Sequence, residues 1–273
     1  MLIFVSKKMD ISSLIAQYKG LHLEDVIDHD TFNLIAIDHH STKIEGSTLT
    51  EVETQVLIME GRTPNGKPLE HSLMVKDHHA ALLFTLEAAR QGKELNIGLI
   101  QQINALVMKT TGKIYNTMLG TIDAATGAFR KGNVSAGNTY FPNYDKVERL
   151  TAELLKLISN GIKSLHSTEE QLNLSFDAHY RLVSIHPFYD GNGRTSRLLM
   201  NFLQTLYNLP LAIVKSENKA AYIEAIIKTK ETGDLNCFRE FMLKEYTNLL
   251  QEGIRQYREM ENPPEGKDFN SLF

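Results

Sequence analysis

The chain has a single cysteine, Cys237, in 273 residues, so it can form no internal disulfide and cannot assemble a cysteine-based zinc cluster. A reducing compartment fits that shortage. No apolar run approaches the roughly 18 residues needed to span a bilayer. The opening MLIFVSKKMD has an apolar stretch too short for a signal sequence and lacks a small-residue cleavage site. An excess of one charge is missing as well, with 29 Lys and Arg against 33 Asp and Glu and a net charge of -4. No basic field is available to hold a phosphate polymer. The expectation is a soluble, cytoplasmic protein with neither nucleic acid nor membrane as a partner, whose 42 % hydrophobic residues fill a sizeable core.

Helical periodicity fills most of the sequence, and no internal repeat interrupts it. Asp10 is positioned to cap a helix running to Gly20, and a second helix from near Thr31 reaches DHHSTKIEG, with Gly46 where a left-handed C-terminal residue belongs. Thr50 and Glu53 read as a capping box for LTEVETQVLIME, closed by Gly61. The run GRTPNGKP, 61–68, breaks both helix and strand and reads as a linker. Further helices are expected at about 70–91, 96–110, 144–160, 168–185, 193–207, 217–231 and 235–258. Residues 112–143 break the pattern with several glycines and the alternating piece NVSAGNTYF, which predicts a loop carrying one small hairpin. The fold class is therefore all-α, with a frayed tail over 259–273.

The segment HPFYDGNGRTSR, 186–197, concentrates the chemistry. Its DGNG turn joins two helical stretches, with Pro187 ending the first and Gly193 opening the second. A glycine-flanked helix start presents unpaired N–H groups and the positive end of the helix dipole, which together bind anions. Gly191 and Gly193 allow close approach, and Arg194 and Arg197, three apart, add guanidinium forks for phosphate oxygens. Asp190 suits a magnesium ion bridging those oxygens. His186, at the end of the incoming helix, suits removal of a proton from an attacking hydroxyl. Singly, each of these residues is more often structural; the joint spacing points to transfer chemistry on a phosphate.

HPFYDGNGRTSR resembles the Fic motif, H-x-F-x-[D/E]-G-N-G-R-x-x-R, with every specified position filled. The resemblance implies a Fic-type helical core with a short β-hairpin flap, in a domain over 69–258 behind an N-terminal helical region, 1–68. It implies a protein adenylyltransferase, moving AMP from ATP with Mg²⁺ to a Ser, Thr or Tyr hydroxyl of an unidentified protein target. His186 would be the general base, Phe188 a buried anchor, Asp190 the metal ligand, Gly191, Asn192 and Gly193 the phosphate cradle, and Arg194 and Arg197 the holders of the leaving end.

STKIEG is similar to the family's inhibitory motif, [S/T]-x-x-x-E-[G/N], through Ser41, Glu45 and Gly46, which implies autoinhibition by Glu45 pairing with Arg197. TGAFRKGNVSAGNTYFP resembles the flap: Gly127, Phe129 and Arg130 match its lead, and Val134, Ser135, Ala136, Gly137, Asn138, Thr139, Tyr140 and Phe141 would offer a strand edge to the target. Tyr222 resembles a tyrosine near the adenine. Ile103-Asn104 stands where many relatives carry Leu-His, a difference read as a packing change. His179 reads as structural, and the pairs His39-His40 and His78-His79 as solvent or core residues rather than metal ligands, because adjacent helix positions diverge by about 100 degrees. Self-modification and a homodimer stay open. So do transfer from another nucleotide, removal of AMP, and a silent scaffold that binds partners.

Overall fold

The structure, a computed structural model, describes residues 10–22, 29–137 and 139–261. The opening apolar stretch, Asn138 of the expected flap and tail residues 262–273 lie outside the described residues. Among those described, the chain forms helices α1 (Ile11–Lys19), α2 (His29–Ile44), α3 (Glu51–Glu60), α4 (Leu69–Arg90) and α5 (Ile97–Val107). Two antiparallel hairpins follow, β1 (Ile114–Thr117) with β2 (Gly120–Asp123) and β3 (Ser135–Ala136) with β4 (Thr139–Tyr140). Helices α6 (Val147–Ser164), α7 (Thr168–Ile185), α8 (Asn192–Leu206), α9 (Lys219–Thr232) and α10 (Asn236–Glu261) complete the fold. No helix among the described residues is long and apolar enough to cross a membrane.

The punctuation explains most boundaries. Thr50 and Glu53 exchange the two bonds of a capping box, at 3.2 and 2.8 Å, and Gly61 closes α3 with φ 72°. Gly46 takes φ 108° just beyond α2. Two expectations are corrected and one is met with a further cause. Asp10 holds the N-cap position of α1 but its side chain makes no capping bond. The helix ahead of the motif ends on Ile185, as expected, with His186 left-handed just before Pro187. The segment 112–143 holds two hairpins rather than one. The first joins its strands through Met118-Leu119, which lacks the Asn-Gly or Asp-Gly signature of a tight hairpin, and Ile122 is the one buried residue of its eight strand positions.

Helix α8 is the axle. Twelve of its fifteen residues are buried, Asn192, Arg194, Thr195, Ser196 and Arg197 among them, because α4, α5 and α7 pack around it. One apolar cluster joins Leu198, Leu199, Phe202 and Leu203 to α4–α7 and to Ile37 of α2, while a second joins Met200 to α1, α7, α9 and α10.

Helix α2 reaches this core through polar contacts. Asp38, fully buried, places Oδ1 and Oδ2 each 2.6 Å from an Nδ1, of His78 and His79 on α4. His40 Nδ1 accepts the Ser216 N–H at 3.2 Å, and burial, with His40 beside it, lowers His39 to about 4. His40, His78 and His79 thus belong to the seating of α2, His39 is buried beside His40, and the described residues contain no metal-binding cluster.

Replacing Asp38 by alanine leaves two imidazole N–H groups stranded and is expected to cost about 3 kcal/mol in urea unfolding. The bond from Asp38 raises His79 above 6.5, so its share of stability is fully present below that pH and is lost as pH rises through the raised folded value. Burial holds His78 below 6.5 against the opposing pull of Asp38, so loss of Asp38 would lower it further. Both effects make the deficit of Asp38→Ala narrow with rising pH, and a deficit flat in pH would contradict this assignment.

Candidate active site

The loop between α7 and α8 is built by its own side chains. His186 adopts φ 53°, an uncommon conformation for a residue with a Cβ, while its N–H still bonds the Leu182 carbonyl at 3.0 Å. Phe188 is buried and anchors the turn: its N–H donates to Asn192 Oδ1 and its carbonyl accepts from Asn192 Nδ2, both at 2.9 Å. The side-chain amide of Asn192 is thus engaged in closing the loop, which leaves Gly191 and Gly193 as its bare backbone. Gly191 has φ 77°, and a Cβ there would sit 2.7 Å from Asn104 Nδ2 and 2.9 Å from Met108 Sδ.

That crowding exposes a residue whose role the sequence concealed. Asn104 of α5 is buried and donates to the Asp190 carbonyl and to Thr195 Oγ1, each at 3.1 Å. It is a polar tie between α5 and the motif, not the packing change expected at that position.

Two guanidinium groups occupy the first turns of α8, both nearly inaccessible to solvent. Arg197 donates from Nε to Ser41 Oγ at 2.9 Å, and from one terminal nitrogen to the Ser41 carbonyl at 2.9 Å and Glu45 Oε1 at 2.7 Å. Arg194 turns the other way, toward the Val107 carbonyl, Met108 Sδ and Asp190 Oδ1 at 3.2–3.5 Å, and its Nε lacks a partner. The same Glu45 oxygen lies 2.5 Å from where a Cβ on Gly193 would stand. A carboxylate therefore occupies the helix N-terminus. Burial would raise Glu45, but Arg197 and then Arg194 outweigh it and hold the acid below its ordinary value, hence ionised. The Glu45 side chain keeps 32 % of its surface open to water, against 5 % for Arg197.

Opposite the arginines, His186 Nδ1 lies 3.3 Å from the Val183 carbonyl, which assigns the proton to Nδ1 and leaves Nε2 as an acceptor. Burial lowers this imidazole to about 4, so it is neutral at pH 7. Phe141 stacks on the ring at 3.8 Å and 17°. Asp190 accepts the Gly191 N–H through Oδ1 at 2.6 Å, and its side chain is 47 % exposed. One half-open carboxylate suits Mg²⁺, which binds through one or two carboxylates plus substrate phosphates and water.

Ser41, Glu45, Asp190, Gly193, Arg194, Arg197 and His186 are thus gathered around one loop. Of the flap residues, Ser135, Ala136 and Gly137 are exposed, Val134, Thr139 and Phe141 are half-buried, and Tyr140 is 78 % exposed. Tyr222 is not at the surface of the site: it is 2 % exposed, bonded to His179 Nε2 at 2.8 Å, and packed with Phe238 and Phe241 behind Arg197. A cavity of about 510 Å³ beside Asn33, Leu34, Leu86 and Arg90 contains no motif residue, so converging polar groups rather than cavity size locate the site.

Gly191→Ala adds crowding to left-handed strain, whereas Gly61→Ala adds strain alone, since nothing lies within 4 Å of its Cβ position. By thermal unfolding Gly61→Ala is expected to lose about 1 kcal/mol and Gly191→Ala clearly more; equal losses would show that Asn104 and Met108 yield freely.

Residues 94–204 match the Fic/DOC family. Proteins named "Protein adenylyltransferase Fic" from Drosophila sechellia and Drosophila melanogaster are each 32 % identical over 206 residues, covering 75 % of this chain and 39 % of theirs. The chain thus spans about two fifths of the length of these curated relatives. Among solved structures, a Fic-domain-containing signaling protein from Bacteroides thetaiotaomicron superposes with TM-score 0.75 at 22 % identity, over 91 % of this chain and 96 % of that one. Fic-1 from Caenorhabditis elegans superposes with TM-score 0.70 at 24 % identity, over 91 % and 72 %. These two likenesses concern the fold.

Proposed function

The chain belongs to the Fic/DOC family, and from that premise we propose that it is a protein adenylyltransferase restrained by its own helix α2. The reaction transfers AMP from ATP to a Ser, Thr or Tyr hydroxyl of a protein target, with pyrophosphate leaving. His186, neutral and with Nε2 free to accept, takes the proton of the attacking hydroxyl, a contribution of about 10²–10⁴ in rate. The α8 N-terminus, with Gly191 and Gly193, cradles the phosphates, and Arg194 and Arg197 neutralise charge on the leaving group. Asp190 would hold Mg²⁺, which supplies further charge neutralisation when bound. The exposed edge of the β3–β4 hairpin, over 134–141, receives an extended target segment by strand addition.

The observation that carries this reading is the ionised Glu45 carboxylate, bonded to Arg197 at 2.7 Å and set against Gly193. The site already binds an anion, and that anion belongs to the chain. An incoming phosphate must displace it, so residues 1–68 act as an inhibitory region and 69–258 as the catalytic one. The same ionised carboxylate, open to water on one side, also favours a second reaction, hydrolytic removal of AMP from a modified protein.

Intact-mass analysis tests both. With magnesium and ATP, Glu45→Gly is expected to gain one AMP per chain or to label an added target at least about tenfold faster than wild type, and Glu45→Gly with His186→Ala is expected to gain none. Equal labelling by wild type and Glu45→Gly would remove the inhibitory role. Loss of AMP from a labelled protein with wild type but not Glu45→Gly would establish the second reaction.

A further inference from the structure

We propose that Arg130 and Phe141 are positioning residues that lock both feet of the flap to His186, so that a target segment on the flap edge and the base that deprotonates it keep a fixed spacing. The proposal rests on the reading of His186 as base and of residues 134–141 as the target edge, and it adds the device that joins them.

Arg130 is 2 % exposed, with no carboxylate partner among its hydrogen bonds. Its acceptors are carbonyls. Nε donates to the His186 carbonyl at 2.8 Å, one terminal nitrogen donates to the Gly132 carbonyl at 2.8 Å, and the other donates to the Pro142 carbonyl. The Arg130 backbone N–H donates to the Pro187 carbonyl at 2.9 Å. Gly132 and Pro142 flank the β3–β4 hairpin on its two sides, and His186 and Pro187 begin the motif. One planar fork therefore fixes both ends of the flap against the residue that carries the base. A buried cation whose bonded partners are all neutral is costly, and burial accordingly lowers its proton affinity. A lysine would bring a point charge and no fixed fork, and could not span three divergent carbonyls with the same geometry.

The second lock acts on the ring. Phe141, adjacent to Pro142, stacks on the imidazole at 3.8 Å. Lys230 of α9 secures it from outside, donating to the Tyr140 carbonyl at 2.6 Å and lying 5.6 Å from the Phe141 ring centre. A flap shifted by about an ångström would open that stack and misplace any hydroxyl paired to its edge, a displacement that costs on the order of 10²-fold in rate.

The test has one readout independent of activity. The ring protons of His186, identified by their absence in His186→Ala, are titrated by NMR in the full chain. Arg130 opposes protonation of this ring while Glu45, Asp190 and the Val183 carbonyl favour it, and Phe141→Ala alters none of these groups. Phe141→Ala is expected to move the titration upward by about one unit or more, toward 6.5, as water reaches the ring. Phe141→Leu, which retains bulk, should keep most of the depression. An unchanged titration in folded Phe141→Ala overturns the ring lock.

The kinetic arm uses the Glu45→Gly background. Arg130→Lys and Phe141→Ala should leave the KM for ATP within about twofold and lower kcat/KM for the protein hydroxyl by 10- to 100-fold. A parallel loss in ATP KM would overturn the positioning role, because it would report collapse of the phosphate cradle. If Glu45→Gly itself transfers no AMP, the adenylyltransferase reading fails, while the titration still decides whether the flap covers His186.

Discussion

Like charges meet at the start of α8, and the resting structure depends on resolving that conflict. The helix N-terminus carries a positive partial charge, and the sequence adds Arg194 and Arg197 within its first turns, both buried. Burying two guanidinium groups beside a positive dipole end is unfavourable unless an anion lies close. The surrounding helices supply carbonyls, a thioether and a serine, which solvate without neutralising. Asp190 supplies one negative charge, 3.5 Å from Arg194, and Glu45 supplies the other, 2.7 Å from Arg197. In the function proposed above, inhibition and stability become two aspects of one electrostatic demand: the Glu45 carboxylate beside Gly193 steadies the buried arginines, and an incoming phosphate would have to take over that role.

The position of Glu45 is set a long way from Glu45. Asp38 and Ser41 are spaced i, i+3 on α2, and Glu45, at i+7, follows directly on its last residue, so the three continue one stripe of a helix with 3.6 residues per turn. They bind two parts of the core: Asp38 the α4 histidines, Ser41 and Glu45 the Arg197 fork. This is why α2 packs without a clean apolar face. Ile37 and Ile44 bury alongside the stripe, but its register is fixed by polar partners that tolerate little sliding.

What the sequence disclosed follows from the same distinction between local and distant causes. Helix limits were readable because capping boxes and left-handed glycines act within a few residues, as at Thr50, Glu53 and Gly61. The motif was readable because its loop is closed by its own members, Asn192 on Phe188 and Asp190 on Gly191. Glu45 with Arg197 was reached through family resemblance, since 152 positions separate them and neither residue alone signals the other. The histidines bound to Asp38, the tie from Asn104 and the fork of Arg130 were not legible, because their partners lie 40, 86 and 56 positions away and are in part backbone carbonyls, which have no sequence signature. The first hairpin escaped because its turn is Met-Leu and, apart from buried Ile122, its strands are exposed or half-buried.

In the proposed reaction the two helix ends of the motif would divide the chemical labour. A base must be neutral at working pH, while groups that hold a leaving phosphate must stay charged, and the proposal asks for both within one short loop. His186 sits at the C-terminal end of α7, where the dipole by itself favours a protonated ring. Its neutrality comes instead from burial beneath Phe141 and from the nearby charge of Arg130. Arg197 sits at the opposite pole, where burial and dipole both disfavour its fixed positive charge, and Glu45 offsets them. Residues from outside the motif thus keep the His186 ring neutral and offset the cost of the Arg197 charge, each against the dipole of its own helix end. The twelve-residue signature specifies the loop, but the chemical state of that loop is written in α2 and the flap.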